Sequence, residues 1–128
     1  MVELIKYLPH IKVELENGVY VFDGDSSTGK TYLCNLLKEK CCYGEPVTGY
    51  SYDDYLLNVD IGTRLIPNKY KVIMLDRYDM FHGVGEDLIK ACAKNAVVLI
   101  DSKTPLNFKV DYDSCGIELT KDLIRVVE

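Results

Sequence analysis

Val19-Tyr20-Val21-Phe22-Asp23-Gly24-Asp25-Ser26-Ser27-Thr28-Gly29-Lys30-Thr31-Tyr32-Leu33 is the stretch whose reading decides the fold. Its first four residues form an uninterrupted apolar run, the pattern of a strand buried on both faces at the centre of a sheet. Its last residues open a helix. Leu33, Leu36 and Leu37 recur at helical spacing within residues 30–40, and Gly44 with Pro46 stops the helix from continuing. The loop between them fits Gly-x-x-x-x-Gly-Lys-Ser/Thr at every fixed position, a match that composition alone yields roughly once in a few hundred chains of this length.

Working outward, residues 11–16 alternate apolar and charged side chains, which is the period-two signature of a strand with one wet face. Asn17-Gly18 then predicts a type I′ turn, so the chain is expected to open with a β-hairpin leading into the strand at Val19. Downstream, residues 47–50 suggest a short strand and residues 53–57 a short helix. Residues 71–75 form a compact apolar strand ending on Asp76, and residues 96–100 another ending on Asp101, with a helix over residues 86–94 between them. Residues 117–120 and 123–127 predict a closing hairpin around Lys121-Asp122. Apolar strands alternating with amphipathic helices call for an α/β fold: a three-layer α/β/α arrangement around a mainly parallel sheet.

At 128 residues, 48% hydrophobic and 27% charged, residues 1–128 match one domain with one core. No run reaches the roughly 18–20 apolar residues of a membrane span, and residues 1–10 carry Glu3 and Lys6 where a signal peptide needs an apolar centre. The expectation is a soluble, cytoplasmic protein without membrane contact. A net charge of -5 argues against a general nucleic-acid binder. The five cysteines show neither a Cys-x-x-Cys pair nor zinc-ligand spacing and read as reduced thiols. His10 and His82 stand apart beside Pro9 and Gly83, in predicted loops.

The chemistry lies in the loop. Gly24 and Gly29 let the backbone approach a phosphate closely, so that the amides of Asp25, Ser26, Ser27 and Thr28 surround it. The helix start at Lys30, Thr31 and Tyr32 adds unpaired N–H groups and the positive end of its dipole. Lys30 is placed to reach the β and γ phosphates, and the Thr31 hydroxyl to ligate Mg²⁺.

On these residues the chain resembles the P-loop nucleoside triphosphatases, with Walker A at 24–31 and a Walker B candidate in Val72-Ile73-Met74-Leu75-Asp76. The resemblance implies ATP as ligand or substrate, with Lys30 and Asp76 as catalytic groups and Thr31 and Asp76 around the metal. Asp101 is the alternative Walker B acid; with Asp76 preferred, Ser102 or Lys103 takes the position of a sensor of the γ phosphate. The expected hairpin is similar to the additional-strand ATPases of the AAA and ABC kind, in which another strand lies between the Walker A and Walker B strands. No Asn-Lys-x-Asp guanine motif is present, which favours ATP over GTP.

One departure matters. Where those ATPases carry a glutamate after the Walker B aspartate, this chain reads Asp76-Arg77-Tyr78-Asp79, and a guanidinium cannot be a general base. Asp79, or failing it Glu86, is the remaining candidate to orient water. The expectation is a slow or partner-dependent Mg-ATPase or an ATP-responsive switch, with a protein partner or a second copy of the chain as the missing component. Arg64 and Arg125 are the candidates for an arginine supplied between subunits. Asp76-Arg77-Tyr78 is also similar to a motif of thymidylate kinases, but the 27 residues after Asp101 leave little room for an arginine-bearing lid. A catalytically inactive nucleotide-binding interaction module is the third reading. The tyrosine-rich stretch Tyr50-Ser51-Tyr52-Asp53-Asp54-Tyr55 reads either as a partner surface or as rings packed on the sheet edge.

Overall fold

The structure, a computed structural model, describes residues 2–4, 10–22, 29–81, 83–109 and 111–128. Five predicted loop residues, Gly24, Asp25, Ser26, Ser27 and Thr28, lie outside the described residues, as does His82. The fold is α/β. Strands β1 (Val2–Leu4), β2 (His10–Val13), β3 (Gly18–Phe22), β4 (Val47–Tyr50), β5 (Val72–Asp76), β6 (Val97–Asp101), β7 (Asp113–Leu119) and β8 (Leu123–Val127) form one sheet in the order β1-β2-β8-β7-β3-β6-β5-β4. Helices α1 (Lys30–Cys42), α2 (Tyr52–Leu56), α3 (Ile61–Arg64) and α4 (Glu86–Ala93) connect them. The sheet is mainly parallel; the antiparallel pairs are β1 with β2 and β7 with β8.

The central strands are apolar throughout because both faces are covered. Val72 and Met74 of β5 and Val97 and Leu99 of β6 share one core with Leu33, Cys34 and Leu37 of α1. The intervening residues Ile73, Leu75, Val98 and Ile100 share a second core with Ile61 of α3 and with Ile89 and Cys92 of α4. Successive strand residues point to opposite faces, so a run with no polar break needs cover on both.

The expected N-terminal hairpin does not form. β2 pairs in parallel with β8, and β3 pairs with β6 and β7, so β8 and β7 stand between the two strands. Asn17 is not among the residues with positive φ, which rules out a type I′ turn at Asn17-Gly18. Residues 14–17 instead cross two strands. Five Cα steps reach at most about 17 Å, against about 14 Å for three strand spacings in a flat sheet, so the link can span the two intervening strands, and curling of the sheet shortens the gap further. Ile11, Val13 and Leu15 line the inside of that curl with Tyr20, Cys115, Ile124 and Val126, and the Tyr20 hydroxyl donates to the Glu16 carbonyl at 2.8 Å. Local turn preference gave way to burial of β2 against the C-terminal hairpin. That hairpin itself, β7 with β8, forms as the sequence predicts.

Two consequences of this packing are measurable. A Cβ on Gly49 would lie 2.9 Å from the Cys34 carbonyl oxygen and 3.0 Å from its Sγ, because β4 and α1 meet there without side-chain spacing. Gly49→Ala is therefore expected to cost about 2–4 kcal/mol in chemical denaturation; an unchanged midpoint would refute the close approach. Burial also pushes the Cys34 and Cys115 thiols up to about 12 and raises that of Cys92, whereas Cys42 is exposed and Cys41 half-buried. Iodoacetamide at pH 8 should modify Cys42 and Cys41 in the native protein and spare the other three, as read by peptide mass.

Candidate functional site

Four sequence-predicted residues converge at the carboxyl ends of the parallel strands. β5 and β6 run in register so that Asp76 lies opposite Asp101, each the last residue of its strand. The start of α1 faces them. Lys30 Nζ lies 3.0 Å from Asp101 Oδ1, and the Thr31 hydroxyl donates to Asp76 Oδ2 at 3.3 Å. Lys30 is 8% exposed and Asp76 5%, so a cation and an acid are held together almost out of water.

The helix is placed by Gly29, whose φ of 87° is left-handed and whose missing Cβ would lie 3.1 Å from Leu119 Cδ1. The positive φ favours glycine at this position, and a side chain there would also have to displace the tip of Leu119. With glycine at the N-cap and no acidic residue in the first turn, the positive end of the α1 dipole is left uncompensated by the helix's own side chains. Burial raises the Asp76 carboxyl above its usual value, and the charge of Asp101 together with a hydrogen bond between the two carboxyls raises it further. The Thr31 hydrogen bond and Lys30 offset only part of that.

Beside Lys30 opens a cleft of about 420 Å³ between the end of β3 and the segment that follows β6. Lys30, Asp101, Ser102 and Lys103 form its polar wall, and Val21, Leu106 and Tyr112 part of its apolar wall. Ser102 thus sits next to Lys30, with its hydroxyl donating to the Thr104 carbonyl at 2.8 Å. Tyr32, by contrast, is exposed on α1.

The candidate water-orienting acids are engaged elsewhere. Asp79 receives Arg77 Nη2 at 3.1 Å and Nε at 3.3 Å, and its Oδ1 also accepts the Lys103 N–H at 3.2 Å. Burial alone would raise this carboxyl, but the hydrogen bonds from Arg77 and the Lys103 backbone outweigh it and hold Asp79 below the usual carboxylate range. Glu86 accepts the Lys109 N–H. Arg77 has a left-handed φ of 65° and lies 5.8 Å over the Tyr52 ring. Of the two candidate intersubunit arginines, Arg125 is bound to Glu14 at 2.6 Å and Glu118 at 3.0 Å, while Arg64 is exposed.

Sequence reasoning weighed Asp101 against Asp76 and missed that each takes its own partner, Asp101 the lysine and Asp76 the threonine. It also missed Ile117 and Leu119, which pack on Gly29 from β7; no local signal links residues so far apart. Among the described residues, no group of three or more His, Cys, Asp and Glu side chains converges on a metal position. No protein-family model matches the chain, and neither a curated protein nor a solved structure does. The functional reading therefore rests on the chain's own residues.

The raised Asp76 carboxyl has a stability consequence. A group whose folded pKa exceeds its unfolded value stabilises the fold in acid and loses that contribution as pH rises through the folded value. Asp76→Asn keeps an oxygen for Thr31 and removes a buried charge facing Asp101. At pH 7 the variant is expected to be more stable by on the order of 1 kcal/mol, a rise of about 2–5 °C in melting temperature. The gain should shrink below about pH 4, where the unfolded carboxyl also protonates. A variant that melts lower than the parent at pH 7 would contradict this electrostatic account.

Proposed function

We propose that the chain is a P-loop protein of the additional-strand kind that binds Mg²⁺ and a nucleoside triphosphate, ATP in preference to GTP. In this reading it works as a slow or partner-dependent ATPase or as an ATP-responsive switch. The observation that carries the proposal is the meeting of Lys30 and Thr31 with Asp101 and Asp76 at the tips of neighbouring parallel strands. Strand order supports it as well. β6 lies between β3 and β5, and β7 flanks β3 on the other side, so the order reverses at the strand that leads into the glycine-rich loop. The crevice outside such a reversal is where open α/β sheets take ligands. Helices packed against both faces of β5 and β6 agree with the three-layer arrangement that the reading entails.

Each residue then has a task. The amides of residues 24–28 and of the first turn of α1 hold the phosphates, and Gly29 permits the close approach. Lys30 leaves Asp101 for the more highly charged polyphosphate. Thr31 and Asp76 would hold Mg²⁺, which supplies charge neutralisation on the phosphate oxygens. Asp101, released from Lys30, and Ser102 line the same cleft as Lys30, so occupancy of the loop would be felt by the segment after β6. Asp79 holds that same segment through the Lys103 N–H. A carboxylate engaged by three donors and held at low pKa is a weak base, which favours the switch over rapid hydrolysis.

Calorimetric titration with ATP, GTP and their diphosphates, with and without Mg²⁺, tests the reading directly. Mg²⁺-dependent ATP binding is expected, weakened at least about tenfold by Lys30→Ala, with hydrolysis by the isolated chain below about 0.01 per second. Absence of any triphosphate binding would overturn the proposal. Transfer of phosphate to a nucleoside monophosphate would replace it with a kinase.

A further inference from the structure

A second cavity, of about 510 Å³, lies at the edge of the sheet between β4, the later turns of α1 and the segment from α3 to residue 70. Lys30 and Cys41 are eleven residues apart on α1, which places the wall at Cys41 about 16 Å from the candidate nucleotide site. The polar groups lining it are mostly donors. Tyr50 and Tyr70, 7% and 9% exposed, line it together with Arg64 and Cys41. No hydrogen-bond acceptor for the Tyr70 hydroxyl exists among the described residues. Lys69 Nζ sits 5.3 Å from the centre of the Tyr70 ring.

Charge points the same way. Asp54, the acid of the lining, is already taken by Lys38 Nζ at 2.6 Å and by the Ser51 N–H at 2.8 Å. Neither Arg64 nor Lys69 has a carboxylate partner among the described residues. A protein of net charge -5 thus keeps two cations without a carboxylate partner among the described residues at one cavity that is also lined by two tyrosines. Desolvation raises the Tyr50 phenol, so it stays protonated and able to donate at neutral pH.

The geometry points to a binding site for the phosphate-monoester dianion of a small molecule, with Arg64, Lys69 and Tyr70 as its recognition groups. A guanidinium fork with an ammonium and a phenol matches a tetrahedral dianion better than a single carboxylate. The volume exceeds that of phosphate alone and suits a sugar-sized substituent against Ile66. This site does not depend on the nucleotide reading.

Cys41 and Cys42 line the cavity and serve as reporters. Alkylation by iodoacetamide, followed peptide by peptide, is measured against increasing ribose 5-phosphate, inorganic phosphate, ribose, and sodium chloride at matched ionic strength. Ribose 5-phosphate is expected to slow modification saturably by about threefold or more, and phosphate to do so at higher concentration, with no effect of ribose or chloride. Protection should persist in Lys30→Ala, weaken about tenfold in Arg64→Ala and less in Arg64→Lys. Should Arg64→Ala not fold, Arg64→Lys and the exposed Lys69→Gln give the same comparison. Protection that is absent, matched by chloride, unchanged in the Arg64 variants or lost in Lys30→Ala overturns the assignment.

Discussion

The ion pair between Lys30 and Asp101 joins the start of α1 to the tip of β6, and the geometry of the candidate site depends on it. Removing a cation and an acid from water is costly unless each finds a partner, and leaving one unpaired costs more than never having buried it. The pair has to be made where the apolar strands end, since Val97–Asp101 is buried up to its last residue. Asp76 ends β5 in the same way, and Thr31 and Lys30 offset only part of the repulsion between the two acids. The site is electrostatically tense by construction, and a ligand that brings both negative charge for Lys30 and positive charge for the acids relieves it on both sides.

The two parts of the sheet have different duties. β3, β6, β5 and β4 run parallel, with α1 and α4 packed on opposite faces, and deliver their carboxyl ends to the crevice. β2, β8 and β7 curl over the same core that α1 packs against, and β7 continues past Phe22 so that Ile117 and Leu119 press on Gly29. The curl therefore supports Gly29 and the start of α1 from behind. The short crossing of residues 14–17 connects the two parts.

Much of this was legible in the chain. The apolar runs at residues 72–75 and 97–100, each followed by aspartate, declared buried parallel strands and the position of their acidic tips. Lys30 and Thr31 were legible because the loop motif is contiguous and its chemistry depends on spacing alone. Pairing partners were another matter: Asn17-Gly18 signals a hairpin locally, yet β2 found β8, more than a hundred residues later. α3 and the cavity around Tyr50, Arg64 and Tyr70 left no periodic trace, because their residues come together only through the path of the chain after β4. Asp79, a candidate base in the sequence, accepts from Arg77 and from the Lys103 N–H, partners that the sequence does not announce.

By itself the sequence determined most of the strands and the longer helices, where the glycine-rich loop stands, and that acids cap the central strands, since these follow from side-chain periodicity and fixed spacing. Only the tertiary structure decided which strand lies beside which, that Lys30 goes to Asp101 and Thr31 to Asp76, and that the opening turn is a crossing. The physical reason is that pairing and burial are long-range free energies. A turn preference worth a fraction of a kcal/mol to about 1 kcal/mol yields when several apolar side chains gain a core.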